Sequence, residues 1–406
     1  MPTSLFSRCR VFDGRTPELL ETLDVLVEGG RIKEVSDQPI RTGTARILPV
    51  NGRTLMPGLI DAHWHAVAAD VNLTRLDSMP ESLRGAHARI YLEEALNRGF
   101  TTIRDAGGAD FGLALAVEQG LIRGPRIFFG GRALSQTGGH GDMRPLQHLD
   151  ACCQGGAIGQ LADGPIEVRK AIREELRKGA HHIKVMVSGG VASPADPIWM
   201  LQYSEEEIRA AVDETARRRT YVMAHAHASE AIRRCVEYGV RSVEHGTLID
   251  RETAAIVAAH GAFVVPTLVV IMTLWEHGAA LGFPSVSMGK LAEVKDAAVG
   301  SLEILKAAGA KVGFGTDLLG SLHGYQSREF LLRSEVLSPC DILRSATSVN
   351  AELLNRSGEL GMVAAGAIAD LIVVDGNPLG DLGLLQEEGR YLSAIMKGGE
   401  LHKMDL

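Results

Sequence analysis

The sequence predicts an α/β protein: a (β/α)8 barrel with a small β-sandwich formed by both ends of the chain. Three observations carry this prediction. Strand-like runs alternate with amphipathic helical stretches through the middle of the chain. Side chains able to bind a metal ion recur where these runs end. Short alternating runs with glycine turns mark the two ends of the chain instead.

Eight strand-like runs make up the predicted barrel, and a barrel of this kind typically needs about 250 residues or more. The helix over 204–218 shows a capping box, with Ser204 at its start and Glu207 three residues later. We place the barrel domain at 58–359 and predict an active-site loop at the glycine-rich segment 136–164. The strand-like runs are 59–66, 101–105, 126–131, 182–187, 221–225, 242–245, 263–268 and 311–316.

The ends of the chain, residues 1–57 and 360–406, have a different pattern. Segments such as ETLDVLVEGGRIKEV alternate apolar and polar residues on either side of a glycine turn, which is typical of β-hairpins. We therefore predict that both ends form one small β-sandwich domain, with the barrel inserted between them.

Composition excludes several classes of protein. The 406 residues are 45% hydrophobic and 23% charged, as expected of a globular enzyme, and the net charge of −8 argues against nucleic-acid binding. The N-terminal residues lack the apolar core of a signal peptide, and the most apolar window, 262–275, is too short to span a bilayer. Five cysteines without a CxxC motif favour reduced thiols, so we expect a cytoplasmic protein without a membrane partner.

Two histidines, His63 and His65, lie at the end of the first run, in MPGLIDAHWH. Alternate side chains of a strand point the same way, so both imidazoles can face one cation. Imidazole suits zinc and its neighbours among the transition metals. An HxH motif alone is a weak signal, but later runs also end in residues that could complete a metal site.

Four further candidates lie at the ends of the fourth, fifth, sixth and eighth runs. Active sites of (β/α)8 barrels lie at the carboxyl ends of the strands, so these positions should converge. The six candidate metal ligands are His63, His65, Lys184, His225, His245 and Asp317.

Motifs along nearly the whole chain resemble those of the amidohydrolase superfamily. They are PGLIDAHWH, GFTTIRDAGG, GRALSQTGGHGD, IKVMVSGGVASP, AHAHASEAI, VEHGTLID, GFGTDLLG and GAIADLIVVDGNPL. Within the superfamily, SQTGGH and SGGVASP are similar to the branch that holds imidazolonepropionase-like enzymes and metal-dependent Xaa-Pro dipeptidases (prolidases).

The resemblance implies a centre of two divalent metal ions, usually Zn²⁺. It assigns His63, His65 and Asp317 to the more buried ion, His225 and His245 to the other, and Lys184 to a bridge between them. The bridge would be a carbamate made from CO₂, since an ordinary lysine is a cation and cannot bind a metal. The alternative is a lysine at the barrel floor paired with a carboxylate.

The resemblance also implies a mechanism. A hydroxide that bridges the two ions attacks the carbonyl of an amide, and Asp317 moves its proton to the leaving nitrogen as general base and then general acid. His140, in TGGHGD, would contact the substrate carbonyl or carboxylate; the alternative is a surface loop histidine. His227, where related dipeptidases tend to carry tyrosine, would face the same cavity and hold the substrate carboxylate as a cation, or would mark a different substrate.

The expected enzyme is therefore an amidohydrolase that cleaves Xaa-Pro, other dipeptides or N-acyl amino acids with a free carboxylate. A cyclic amidase of the imidazolonepropionase kind, or a hydrolase of xenobiotic amides or carbamates such as mycotoxins, is the alternative. A catalytically silent binding module is more remote. Relatives with this layout commonly assemble, so we also expect a homo-oligomer.

Two other features are expected to lie outside the metal centre. Arg104 and Asp105, which end the second run, are predicted to form a structural ion pair. His323 follows the eighth run closely enough to reach the mouth of the pocket.

Overall fold

The computed structural model describes residues 3–43, 45–145 and 155–406. This part of the chain alternates strands with helices. Its strands are β1 (Ser4–Val11), β2 (Leu20–Glu28), β3 (Arg31–Ser36), β4 (Arg46–Pro49), β5 (Thr54–Pro57), β6 (Leu59–Trp64), β7 (Phe100–Asp105), β8 (Arg126–Phe129), β9 (Ala133–Ser135), β10 (Gly159–Leu161), β11 (Ile183–Met186), β12 (Val222–Ala228), β13 (Ser242–Leu248), β14 (Phe263–Val265), β15 (Lys311–Val312), β16 (Leu371–Val374), β17 (Leu392–Lys397) and β18 (Glu400–Met404).

Most of the helices follow the strands of the middle region. They are α1 (Leu73–Asp77), α2 (Glu81–Asn97), α3 (Phe111–Glu118), α4 (Gly164–Arg177), α5 (Glu205–Arg217), α6 (Ser229–Glu237), α7 (Arg251–Ala259), α8 (Leu268–Leu281), α9 (Ser285–Lys295), α10 (Ala298–Ala307), α11 (Arg328–Arg333), α12 (Pro339–Arg344) and α13 (Asn350–Leu353). The predicted capping box is present, because Ser204 and Glu207 each bond the other's main chain at the start of α5.

Both ends of the chain contribute to one sheet, as predicted. Its eight strands run in the order β18-β17-β16-β5-β1-β2-β3, with β4 paired to β1. The predicted sandwich is thus one continuous hydrogen-bonded sheet. Its core is aliphatic and aromatic, with Phe6, Val25, Ile32 and Met396 at most 1% exposed. The boundaries at residues 57 and 360 stay a prediction.

The middle region contains two parallel sheets. One has the order β6-β7-β8, and the other has the order β10-β9-β11-β12-β13-β14-β15. The eight predicted strand-like runs correspond to β6, β7, β8, β11, β12, β13, β14 and β15. The two short strands β9 and β10 were not predicted, and β10 lies inside the segment predicted to be a loop.

Main-chain hydrogen bonds join these two sheets in two places. Beside β6, Ala62 donates to the carbonyl of Phe314 (2.8 Å) and Asp317 donates to the carbonyl of His63 (2.8 Å). Beside β8, His181, which lies just before β11, donates to the carbonyl of Phe129 (2.8 Å). The carboxyl ends of β6, β11, β12 and β13 and the segment after β15 therefore meet around one space.

Strand β12 shows how the sequence decides which side chains face that space. Val222, Ala224 and Ala226 pack into an apolar cluster with the surrounding helices. Because side chains alternate along a strand, His225 and His227 point to the opposite side.

Among the described residues, no helix is long and apolar enough to cross a membrane.

Candidate metal centre

A cavity of about 670 Å³, counting its mouth, lies where the strand ends meet. All six candidate ligands line it, and His140 does as well. The six ligands come from β6 and the residue after it, from β11, β12 and β13, and from the segment after β15. Apolar side chains cover part of the remaining wall: Leu73, Met143, Ile158, Met186, Ala192 and Leu319.

Asp317 is the carboxylate at the middle of the cluster. Its Oδ1 lies 3.3 Å from Nε2 of His63 and 3.1 Å from Nε2 of His65, and its Oδ2 lies 4.0 Å from Nδ1 of His245. One ligand atom each of His63, His245 and Asp317 can be chosen so that all three lie within 4.8 Å of one another. Burial alone would raise the pKa of Asp317, but the nearby imidazoles hold it well below its usual range.

The outer nitrogens of the first two histidines are already bonded. Nδ1 of His63 lies 2.7 Å from Oε2 of Glu244, and Nδ1 of His65 lies 3.0 Å from the carbonyl of Gly107. Metal-binding histidines usually give their other ring nitrogen to a carboxylate or a carbonyl in this way, which fixes the ring. The two Nε2 atoms both lie near Oδ1 of Asp317, and the donor atoms of His63, His245 and Asp317 are close enough together to fit a metal ion.

A buried ion pair supports His63 from behind. Arg104 donates to both oxygens of Glu244 (2.9 and 3.0 Å), and neither side chain is exposed. Burial would raise the pKa of Glu244, but Arg104 and His63 outweigh it and hold the pKa at about 2. The predicted pairing of Arg104 with Asp105 is therefore wrong. Asp105 instead accepts main-chain N–H groups of Ala66, just after β6, and of Gly107 and Ala109, in the turn after β7.

The second group of histidines is stacked. The ring centroids of His140 and His225 lie 4.1 Å apart, and those of His227 and His245 lie 5.1 Å apart. His227 is 4% exposed, its Nδ1 lies 3.1 Å from Oγ1 of Thr247, and it is not among the side chains that line the cavity. Burial lowers its pKa to about 3, so near pH 7 the ring is neutral and is not the cation that the resemblance implied.

Lys184 lies on the cavity wall and is 2% exposed. Burial lowers the pKa of its amine to about 8, against the opposing charges of Glu244 and Asp317. A lower pKa leaves more of the amine neutral at pH 7, and the neutral amine is the form that reacts with CO₂. The environment of Lys184 is thus compatible with a carbamate.

Two of the candidate ligands have an unusual backbone. His245 has φ 72° and Asp317 has φ 56°, both in the left-handed region. A non-glycine residue held there costs about 1–3 kcal/mol, and such strain clusters at functional sites. At His245 it also breaks the alternation of β13, so that adjacent residues Glu244 and His245 both reach His63.

His323 does not lie at the mouth of the pocket, contrary to expectation. It is fully buried, with its ring 4.5 Å from that of Trp64 and 4.6 Å from that of Tyr91. The chain turns inward after Asp317 through the 3₁₀ segment Gly320–Tyr325, which carries His323 into the core.

The loop predicted at 136–164 does contribute to the cavity wall. Gly141, Met143, Gly156, Ile158 and Gly159 line it. Residues 146–154 of this segment lie outside the described residues.

Comparison with known proteins agrees with this geometry. The model of the amidohydrolase family matches residues 54–401. The chain belongs to the amidohydrolase family. A solved structure of a prolidase complexed with N-methylphosphonate-L-proline is 50% identical, with a TM-score of 0.97 over 99% of this chain and 100% of that one. A Xaa-Pro dipeptidase with bound methionine is 28% identical, with a TM-score of 0.89 over 99% and 100% of the two chains.

A further relative is named for an activity other than that of a prolidase or a dipeptidase. Ochratoxinase of Aspergillus niger is 33% identical over 367 residues, which are 86% of this chain and 75% of that enzyme. The family and its neighbours establish that this amidohydrolase is a hydrolytic enzyme acting on C–N bonds, which confirms the predicted resemblance. The family generally uses divalent metals, in keeping with the His and Asp cluster.

Proposed function

We propose that this amidohydrolase cleaves an amide whose leaving group carries a free α-carboxylate: Xaa-Pro, another dipeptide or an N-acyl amino acid. The observation that carries the proposal is the convergence of six ligand-type side chains from five strand ends on one cavity. The 50% identity to a prolidase crystallised with a proline-based phosphonate supports the substrate class. We propose further that the two parallel sheets close into an eight-stranded barrel and that the chain forms a homo-oligomer.

The proposed centre holds two divalent ions, Zn²⁺ in the first place. His63, His65 and Asp317 would hold one ion and His225 and His245 the other, with Lys184 bridging both as a carbamate. When bound, such ions would make water a nucleophile near neutral pH and polarise the amide carbonyl.

The chain's own residues perform the remaining steps. Asp317, close to both imidazoles of the HxH pair, takes the proton of the attacking water at a carboxylate oxygen and passes it to the leaving nitrogen. Its carboxylate is ionised near neutral pH, as a group that accepts a proton must be. His140 donates an N–H to the substrate carbonyl or carboxylate. We propose that His227, whose ring stacks on that of His245, donates an N–H to the carboxylate.

A second candidate is hydrolysis of a xenobiotic amide. The similarity to ochratoxinase supports it, as do the apolar side chains on the cavity wall, which suit a large apolar acyl group.

A panel of substrates separates these candidates. The zinc-loaded enzyme is assayed with Xaa-Pro dipeptides, other dipeptides and N-acyl amino acids, each as the free acid and as the C-terminal amide, and with ochratoxin. We expect the free acids to be cleaved far better than the amides. Equal cleavage of both forms would contradict the carboxylate requirement, and cleavage of ochratoxin in preference to the dipeptides would favour the second candidate.

A further inference from the structure

A buried lysine outside the candidate ligands, Lys290, holds the loop that follows β11. Lys290 lies on α9 and is 8% exposed. Its Nζ donates to the main-chain carbonyls of Gly190 (2.5 Å), Ser193 (2.7 Å) and Asp196 (2.9 Å). A lysine ammonium has three protons and no acceptor, so these three carbonyls use all of its donors. Lys290 on α9, a helix between β14 and β15, thus fixes the turn at residues 190–196, which follows β11.

The turn at 190–196 in turn contacts His140. Ser193 Oγ lies 2.8 Å from Nδ1 of the His140 ring, and Asp196 Oδ2 lies 3.7 Å from it. The ring also packs directly on Gly190, where an added Cβ would lie only 2.2–2.5 Å from three of the ring atoms. The position of the His140 ring therefore depends on the shape of this turn.

The hydrogen bonds favour one position for the hydrogen of the His140 ring. Ser193 Oγ lies 3.4 Å from Nζ of Lys290, and an ammonium cannot accept, so the hydroxyl hydrogen points elsewhere. Its two possible acceptors are the carbonyl of Gly190 at 3.4 Å, which also accepts from Lys290, and Nδ1 of His140 at 2.8 Å. We assign the hydroxyl hydrogen to the shorter contact, which places the hydrogen of the neutral ring on Nε2.

We infer that Lys290 is a positioning residue: by clamping the turn at 190–196 it sets the His140 ring and presents its Nε2–H to the substrate in the cavity. The catalytic consequence rests on the proposed hydrolysis, but the orientation of the ring does not. The two residues just before this turn also contact histidines of the site. Ser188 Oγ accepts from the main chain of His227 (3.0 Å), and the carbonyl of Gly189 lies 3.3 Å from His225 Nε2.

The kinetic test replaces Lys290 by methionine, which keeps the stem and removes the donors. Misplacing a catalytic group by about 1 Å can cost about 100-fold, so we expect Lys290→Met to lower kcat by about 10- to 100-fold with unchanged metal content. Lys290→Arg, which restores a cation but not the three converging protons, should recover part of the loss. If folded Lys290→Met keeps the kcat of the unmodified enzyme, the inference is wrong.

Lys397 offers a matched control. It too donates from Nζ to a main-chain carbonyl, that of Gly124 (2.6 Å), but it lies on β17 in the terminal sheet. Lys397→Met should lower the Tm without changing kcat. An equal loss of kcat in both variants would mean that losing any such lysine has this effect, and would overturn the inference.

A spectroscopic readout needs no substrate. In the metal-loaded enzyme labelled with ¹⁵N-histidine, we expect His140 to show an unprotonated Nδ1 and a protonated Nε2, with the signals assigned by their loss in His140→Gln. Lys290→Met and Ser193→Ala should each disturb this pattern, and the double variant should be less affected than the sum of the two. Unchanged His140 signals in both variants would refute the positioning role even if the substrate proposal failed.

Discussion

The region around the cavity and the terminal sheet bury side chains of opposite kinds. At the strand ends, Arg104, Lys184 and Glu244 are at most 2% exposed, yet each is charged in its usual form. In the terminal sheet, equally buried positions are occupied by side chains such as Phe6, Val25 and Ile32. Burying ions is costly, but Arg104 and Glu244 hold the ring of His63 in place, and Lys184 is itself a candidate ligand. The apolar side chains of the terminal sheet contribute to stability alone.

The two regions should therefore respond differently to substitution. Removing one member of a buried charged network leaves its partner uncompensated and should affect both stability and activity. Removing a methyl group from the apolar sheet should affect stability only.

The largest effect is expected at Lys184. Losing a partner behind a metal ligand already costs about 10- to 100-fold in affinity or activity, so losing a bridging ligand should cost more than about 100-fold. Lys184→Ala should therefore lose metal and activity, with partial rescue by a short carboxylate plus zinc, whereas the exposed Lys170→Ala should lose neither. A structure with a bare Lys184 amine between two occupied metals would contradict the carbamate.

The next effect concerns the ion pair behind His63. Glu244→Gln leaves Arg104 buried without its carboxylate, which should lower the free energy of unfolding by about 3–5 kcal/mol. It should also weaken metal binding about 10- to 100-fold through His63. Denaturant unfolding measures the stability and metal titration measures the affinity. The control is Glu28→Gln, which removes one partner of the exposed ion pair with Lys33 and should lower the free energy of unfolding by at most about 1 kcal/mol.

The same pair has a pH signature. Because the folded-state pKa of Glu244 is held at about 2, below its ordinary value of 4.5, its contribution is fully present above pH 4.5 and is lost as the pH falls towards 2. The Glu244→Gln variant should lose less stability over that interval than the unmodified protein. An identical acid profile would show that the pair does not contribute.

A smaller effect is expected at His227. A hydrogen bond to a charged group contributes about 1.5–3 kcal/mol, so His227→Ala should lower kcat/KM for free-acid substrates by about 10- to 150-fold. An amidated analogue should be nearly unaffected, and His227→Tyr should retain carboxylate binding while changing the preferred C-terminal residue. If the free acid and the amide lose the same factor, His227 acts by packing against His245 and not by holding the carboxylate.

The smallest effect belongs to the terminal sheet. Ile32→Val removes one buried methylene from a side chain that is 1% exposed and should cost about 0.5–1.5 kcal/mol of stability. The kcat/KM of the folded variant should not change. A loss of activity without a loss of stability would break the distinction between the two regions.

The sequence predicts the strands well, and its six candidate ligands all line one cavity, because strand positions and strand ends follow local rules. Apolar runs of four to eight residues mark buried strands, and the ligand-type residues stand at their carboxyl ends. The positions of His225 and His227 follow from alternation along one strand. The short strands β9 and β10 escaped prediction because three residues carry too little periodicity in a glycine-rich segment.

The supporting groups could not be predicted in the same way. Glu244 precedes His245, so simple alternation places the two on opposite faces, and only the left-handed backbone at His245 brings both to His63. Lys290 lies 97 residues from Ser193 along the chain and has no motif of its own. A local signal did exist for Glu244, since a buried-looking strand in VEHGT contains an acidic residue next to a candidate ligand.

The central claim is that the strand ends form a centre for two metal ions. The direct measurement is the metal content of the purified protein after loading with zinc and removal of free ions, determined by plasma mass spectrometry against protein concentration. The account predicts about two divalent ions per chain, with activity lost on chelation and restored by zinc. A fully active preparation with one ion per chain, or with none, would contradict it.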